Sequence, residues 1–113
     1  MQLSNFKIKE ADVQCEIVAS LRSMDDVDVR VEATWPSRHH RSGNMRVDIL
    51  VFYRGMALCM IEVKKPGKKP LGRNTRQRKA YEDSGVPVFF CIGRDGIPDT
   101  FASVACALEG RTT

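Results

Sequence analysis

Long apolar runs are the first thing this chain lacks. No stretch approaches the ~18 consecutive apolar residues that signal a bilayer-spanning helix, and its start has no basic segment followed by an apolar block. A membrane span and an export signal are thus not expected, and the chain reads as a cytoplasmic protein. Its four cysteines, Cys15, Cys59, Cys91 and Cys106, lie far apart and form no C-x-x-C pair. That spacing argues against zinc, iron–sulfur and thiol-redox sites. Each cysteine sits in an apolar segment, so all four are expected as small buried or semi-buried free thiols in a reducing compartment. Internal repeats and low-complexity tracts are also missing. No sign of charge dominates: 18 Lys+Arg against 14 Asp+Glu give a net charge of +4 and a pI near 9.0. Such a balance permits a polyanionic partner without requiring one.

What is present suits a single domain. The 113 residues are 42% hydrophobic and 28% charged, ordinary for a folded soluble domain and too apolar for wholesale disorder. From Glu10 to Met24, Val13, Ile17, Ser20 or Leu21, and Met24 recur at helical intervals. Glu16 lies on the flank of that stripe. It is either a solvated residue of an amphipathic helix or an acid reaching along the edge of whatever the helix covers. Val27, Val29, Val31 and Ala33 alternate with charged residues, as in a strand with one buried face ending by Pro36. Trp35 to Arg46 then loses all periodicity. Its Arg38, His39, His40, Arg41 and Arg46 surround Ser42-Gly43-Asn44, as in a phosphate-contacting loop or a solvated turn. His39 and His40 are a poor metal pair, because neighbours on an extended chain point apart.

Two apolar runs, Arg46 to Tyr53 and Ala57 to Lys64, flank Arg54-Gly55 and signal a hairpin of central strands covered on both faces. Pro66 stops the second run. A cationic loop with Lys65, Lys68, Lys69 and Arg73 follows. Asn74 or Thr75 can cap a second helix running to about Ser84, with Gly85 ending it, and Gln77 and Tyr81 share one of its faces. Val86 to Ile92 reads as a short buried strand. A third helix follows, with Asp99 as its N-cap, Phe101, Val104, Ala105 and Leu108 as its stripe, and Gly110 as its stop. The order αβββαβα predicts an α/β fold: a central mixed four-stranded sheet flanked by helices.

Acids are out of place in the hairpin. Glu62 and Lys64 stand two apart and share a sheet face. Asp48 joins them only if opposed residue numbers on the two strands sum to an even value. A three-residue connection achieves that; a strict two-residue turn sends Asp48 to the other face unless a bulge or strong twist intervenes. If the three converge, two carboxylates and one ammonium group lie together among apolar strands, and an ion pair leaves one acid over. A divalent cation is the better neutraliser: Mg²⁺ takes one or two carboxylates and completes its shell with water and phosphate oxygens.

Asp48 followed by Glu62-Val63-Lys64, behind a helix carrying Glu16, resembles the D…E-x-K site of the PD-(D/E)XK nuclease superfamily. Val47 stands where the motif often has proline. Gln77 and Tyr81 match the Q-x-x-x-Y element of RecB-like nucleases and of the N-terminal nuclease domain of type I restriction enzyme motor subunits. The run Arg46 to Gly96 resembles the latter most closely, and the resemblance extends over about residues 10 to 108. The chain also resembles the small stand-alone VRR-NUC proteins and, more distantly, the archaeal-type Holliday junction resolvases.

The resemblance implies a restriction-endonuclease-like core and a Mg²⁺-dependent endodeoxyribonuclease, with Mn²⁺ as substitute. Asp48, Glu62 and the Val63 carbonyl would hold the metal, and Lys64 would be the catalytic lysine. Gln77 would order DNA or the catalytic groups with Tyr81 in support, and Glu16 would be an outer or second-metal acid. Arg41, Arg46, Lys65, Lys68, Lys69, Arg73, Arg76 and Tyr81 would meet DNA; for the cations solubility, and for Tyr81 helix packing, is the competing role. Two further readings accompany this one, a branched-DNA resolvase working as a homodimer and a non-catalytic subunit of a larger restriction or repair assembly. With no ATPase motor, specificity is expected from DNA structure, dimerisation or a partner.

Overall fold

The computed structural model describes residues 10–67 and 75–112. Its elements run α1 (Glu10–Arg22), β1 (Val27–Pro36), β2 (Asn44–Tyr53), β3 (Met56–Lys64), α2 (Thr75–Ser84), β4 (Val88–Ile92) and α3 (Ile97–Thr112), with a 3-10 turn at Arg94–Gly96 before α3. The strands lie in the order β1-β2-β3-β4. β1, β2 and β3 are antiparallel neighbours, and β4 adds parallel to β3, as a crossover through α2 allows. The protein is thus α/β, with a mixed four-stranded sheet between helices. None of the helices among the described residues is long and apolar enough to cross a membrane.

Each face of the sheet has its own core. α1 and α3 cover one face, where Val13, Ile17, Leu21 and Val104 meet Val29, Ile49, Val51, Ile61 and Val63. α2 covers the other, where Ala80 and Tyr81 meet Met45, Val47, Leu50 and Met60. The central strands are therefore buried on both sides, which explains their continuous apolar runs. Boundaries depart from the sequence expectations only at the ends. α3 begins at Ile97, leaving Asp99 within its first turn, and passes Gly110 to Thr112. The expected cap of α2 at Asn74 lies outside the described residues. Two cysteines differ from expectation: Cys59 and Cys91, on strands, are buried, but Cys15 and Cys106, on α1 and α3, are exposed.

The hairpin closes through a two-residue turn. Tyr53 opposes Met56, and Arg54 and Gly55 both take positive φ, 51° and 81°, the type I′ geometry that suits the twist of paired strands. Next to the turn Phe52 opposes Ala57, an odd-sum register. The register then shifts at Val51, which opposes Cys59, and the even-sum register continues to Ile49 and Ile61. One extra residue, Leu58, makes the shift. The three-residue connection is thus absent, and the bulge supplies the even register. β1 departs from regular alternation too. Val27 and Val29 pack with the α1/α3 core while Ala33 and Trp35 pack with the α2 core, and Val31 between them is 41% exposed.

Asn at the first turn position tolerates the left-handed conformation better than Arg. Arg54 does form an ion pair with Asp26, but both partners are more than half exposed, so the pair is worth little. Arg54 also lies over the Tyr53 ring, 5.2 Å from its centroid, so the backbone gain and the lost contact offset. Arg54→Asn should therefore leave stability in urea unfolding within about 0.5 kcal/mol of wild type. Gly55→Val should lower it by more than about 1 kcal/mol. A loss in the first variant as large as in the second would show that the turn is not held by its backbone conformation.

Candidate active site

The β2–β3 ladder stops at Ile49 and Ile61. Just beyond, side chains replace the missing backbone bonds. The Val63 N–H donates to Asp48 Oδ2 at 2.9 Å, and the Asp48 N–H donates to Glu62 Oε1 at 3.3 Å. Each carboxylate thus accepts from the other strand's backbone, and the two acids lie side by side across the split. A strand residue's N–H and C=O leave along the same edge, so the Val63 carbonyl also faces the Asp48 side. Asp48 is half-buried; Glu62 is 3% exposed.

α2 closes the site from above. Tyr81, 7% exposed, packs edge-on to Phe90 with ring centroids 6.3 Å apart, and Phe90 is the β4 partner of Glu62. The Tyr81 hydroxyl hydrogen-bonds the Glu62 carboxylate, and Gln77 Nε2 donates to that hydroxyl at 2.9 Å. The Q-x-x-x-Y pair is therefore a relay from the helix to the strand acid, and Tyr81 serves both as packing and as a polar contact. Burial pushes the Glu62 carboxyl up to about 7, the Tyr81 hydrogen bond opposes that, and the neighbouring Asp48 charge adds to it. Burial, with the nearby Glu62 and Asp48 charges, pushes the Tyr81 hydroxyl far up. It therefore stays protonated and remains a donor.

Lys64 is half-buried at the end of β3 and, among the described residues, takes part in no ion pair. Its carbonyl accepts from the Gly93 N–H at 2.8 Å. Gly93, at φ 66° and ψ −176°, is buried, and a Cβ there would lie 2.7 Å from Pro66 Cγ. A glycine ending a buried strand is the one sequence signal for this contact.

The other sequence candidates lie elsewhere. Glu16 is bound by Arg94, whose Nε approaches Oε2 at 3.2 Å while Nη2 contacts Oε1. No group of three acidic, His or Cys side chains that could hold a metal forms among the described residues, so Glu16 is not brought together with Asp48 and Glu62. Arg41, Lys65 and Arg76 are exposed. Arg46 pairs with Glu32. Lys68, Lys69 and Arg73 lie outside the described residues. His39 Nε2 meets Asp83 Oδ2 at 2.6 Å, and Arg38 Nε meets the same oxygen at 3.0 Å. These contacts tether the β1–β2 loop to α2, and the His39 hydrogen bond holds the Asp83 carboxyl below its usual range. No local sequence signal marks Asp83. The buried Cys59 thiol is pushed up to about 12 and that of Cys91 is also raised, so neither is a nucleophile at neutral pH.

The chemistry of the two acids suits a hard cation. A carboxylate has roughly four acceptor sites, and one backbone bond to each acid leaves sites open. Mg²⁺ needs only one or two carboxylates from protein, so the lack of a third acid does not bar it. Comparisons with family models, curated proteins and solved structures found no match for this chain.

Glu62 makes stability depend on pH. Its folded pKa lies above the ordinary 4.5, at about 7, so the folded state holds the proton more tightly than the unfolded chain. Stability from this group is greatest below pH 4.5 and falls as pH rises toward 7. In EDTA, the melting temperature of the wild type relative to Glu62→Gln should decline between pH 5 and 7.5, and Mg²⁺ should reduce the decline. A flat or rising difference would show that the acid is not desolvated.

Proposed function

We propose that this protein is a metal-dependent endodeoxyribonuclease with a restriction-endonuclease-like core, hydrolysing DNA phosphodiester bonds. The observation that carries the reading is the side-by-side placement of Asp48 and Glu62 at the split of the β2–β3 ladder, with Glu62 on the strand that ends in Lys64. Two carboxylates held together in a largely desolvated setting favour a cationic partner.

Asp48, Glu62 and the Val63 carbonyl would hold Mg²⁺ or Mn²⁺, which when bound supplies a polarised phosphoryl group and a water of lowered pKa. The rest falls to the chain's own groups. Lys64 brings an ammonium group to the phosphate, where it stabilises the charge gathering on the phosphoryl oxygens or orients the attacking water. Tyr81, kept protonated, fixes one side of the Glu62 carboxylate, and Gln77 fixes Tyr81. Exposed Arg41, Lys65 and Arg76 extend the contact along the DNA backbone, positioning without reading sequence.

The experiment is plasmid and branched-DNA cleavage in Mg²⁺ or Mn²⁺. Asp48→Asn and Lys64→Ala should each slow cutting by on the order of 100-fold or more, with melting temperatures near wild type. Absence of cutting on every substrate, or cutting that both substitutions leave intact, would refute the activity. Tyr81→Phe should slow cutting less than Asp48→Asn, because it removes the two hydrogen bonds of the hydroxyl but no ligand.

A further inference from the structure

Opposite Asp48, on the far side of β2, stands a residue in an unusual state. Glu32 has φ 51°, a left-handed conformation that is sterically unfavourable for a non-glycine residue and uncommon in a strand. It interrupts the β1–β2 ladder. Val31 pairs with Ile49 and Ala33 with Val47, but the intervening Glu32–Asp48 pairing is missing, and the register is the same on both sides. No residue has been inserted; one pair has been twisted out.

Both strands change sides there. In β1, Val27 and Val29 pack with the α1/α3 core, whereas Ala33 and Trp35 pack with the α2 core. In β2, Ile49 and Val51 pack with the former, and Met45 and Val47 with the latter. Strict alternation would keep each set on one face. The consequence falls on Asp48. In a regular ladder its N–H would be engaged with β1, as the pairing of Leu50 with Arg30 implies. Instead it donates to Glu62 Oε1.

We propose that Glu32 is a positioning residue whose left-handed backbone takes Asp48 out of the β1–β2 ladder and aims it at β3. The claim deepens the nuclease reading and rests on it only for the role of Asp48. Backbone conformation at position 32 carries the effect, and the Glu32 carboxylate does not: its ion pair with Arg46 joins side chains that are 49% and 72% exposed, where screening leaves little. Strained backbone beside reactive groups, held by surrounding structure, is a recurrent device.

Four substitutions separate conformation from charge. Glu32→Gly and Glu32→Asn remove the carboxylate but tolerate the left-handed region; Glu32→Val and Glu32→Thr remove it and, being β-branched, resist that region. Two readouts apply, hydrogen exchange of the Val63 amide in metal-free protein and Mn²⁺ affinity by calorimetry, with Mn²⁺ alone as the probe. The Gly and Asn variants should keep Val63 protection and bind Mn²⁺ within about threefold of wild type. The Val and Thr variants should stay folded, exchange the Val63 amide faster, and bind Mn²⁺ on the order of tenfold more weakly.

Equal behaviour of all four variants would overturn the proposal. So would loss in the Gly and Asn variants, which would assign the effect to the carboxylate, or unfolding of both β-branched variants, which would make position 32 a requirement of the fold. If wild-type protein binds no Mn²⁺, the metal site fails as a reading, and Val63 exchange still decides whether Glu32 positions Asp48.

Discussion

The structure depends on a crossed exchange between two neighbouring strands. Where β2 and β3 part, Asp48 accepts the Val63 N–H and Glu62 accepts the Asp48 N–H. Backbone donors in a sheet interior must be satisfied, and here carboxylates satisfy them. The same two bonds fix both acids in place. A ladder carried by carbonyls would leave these side chains free to rotate; here the same side chains carry both the structural bonds and the charge.

The rest of the fold bears on that exchange. β4 joins parallel to β3 and places Phe90 beside Glu62, giving Tyr81 an aromatic edge to pack against. α2, on which Gln77 and Tyr81 stand four positions apart, then brings the Tyr81 hydroxyl to that acid with Gln77 bonded behind it. Burial raises the Glu62 carboxyl most, the Tyr81 hydrogen bond works in the opposite direction, and Asp48 beside it raises the carboxyl further, to about 7 in all. Burial and the Asp48 charge therefore outweigh the Tyr81 hydrogen bond, and the Glu62 carboxyl lies above its ordinary range.

Much of this was legible in the sequence, for identifiable reasons. Central strands announce themselves by continuous apolar runs, which is why β2 and β3 stand out. Tyr81 and Gln77 are related by helical spacing, and Glu62 is conspicuous because an acid interrupts an apolar run. Contacts set by tertiary packing were not legible. Glu16 shows only that it flanks the α1 stripe, and its pairing with Arg94 joins residues far apart in the chain. The alternation through Val27, Val29, Val31 and Ala33 reads as one buried face, yet the left-handed Glu32 divides it between two cores. No residue-type signal marks that position, since Glu is not a residue that favours positive φ.

The turn was the harder question, and its answer bears on how the site is built. With a two-residue connection at Arg54-Gly55, the register beside the turn places Asp48 on the side away from Glu62. The turn is the two-residue type, and the acids still meet. The extra residue at Leu58 shifts the β2–β3 register, and the left-handed Glu32 releases β2 from β1 opposite the acid. One irregularity determines which face Asp48 occupies and the other determines which neighbour its backbone serves. With the bulge alone, Asp48 would share a face with Glu62 but keep its N–H in the β1 ladder; with the twist alone, it would leave that ladder on the wrong register. The crossed exchange therefore requires both departures from regular pairing, one on each side of the same strand.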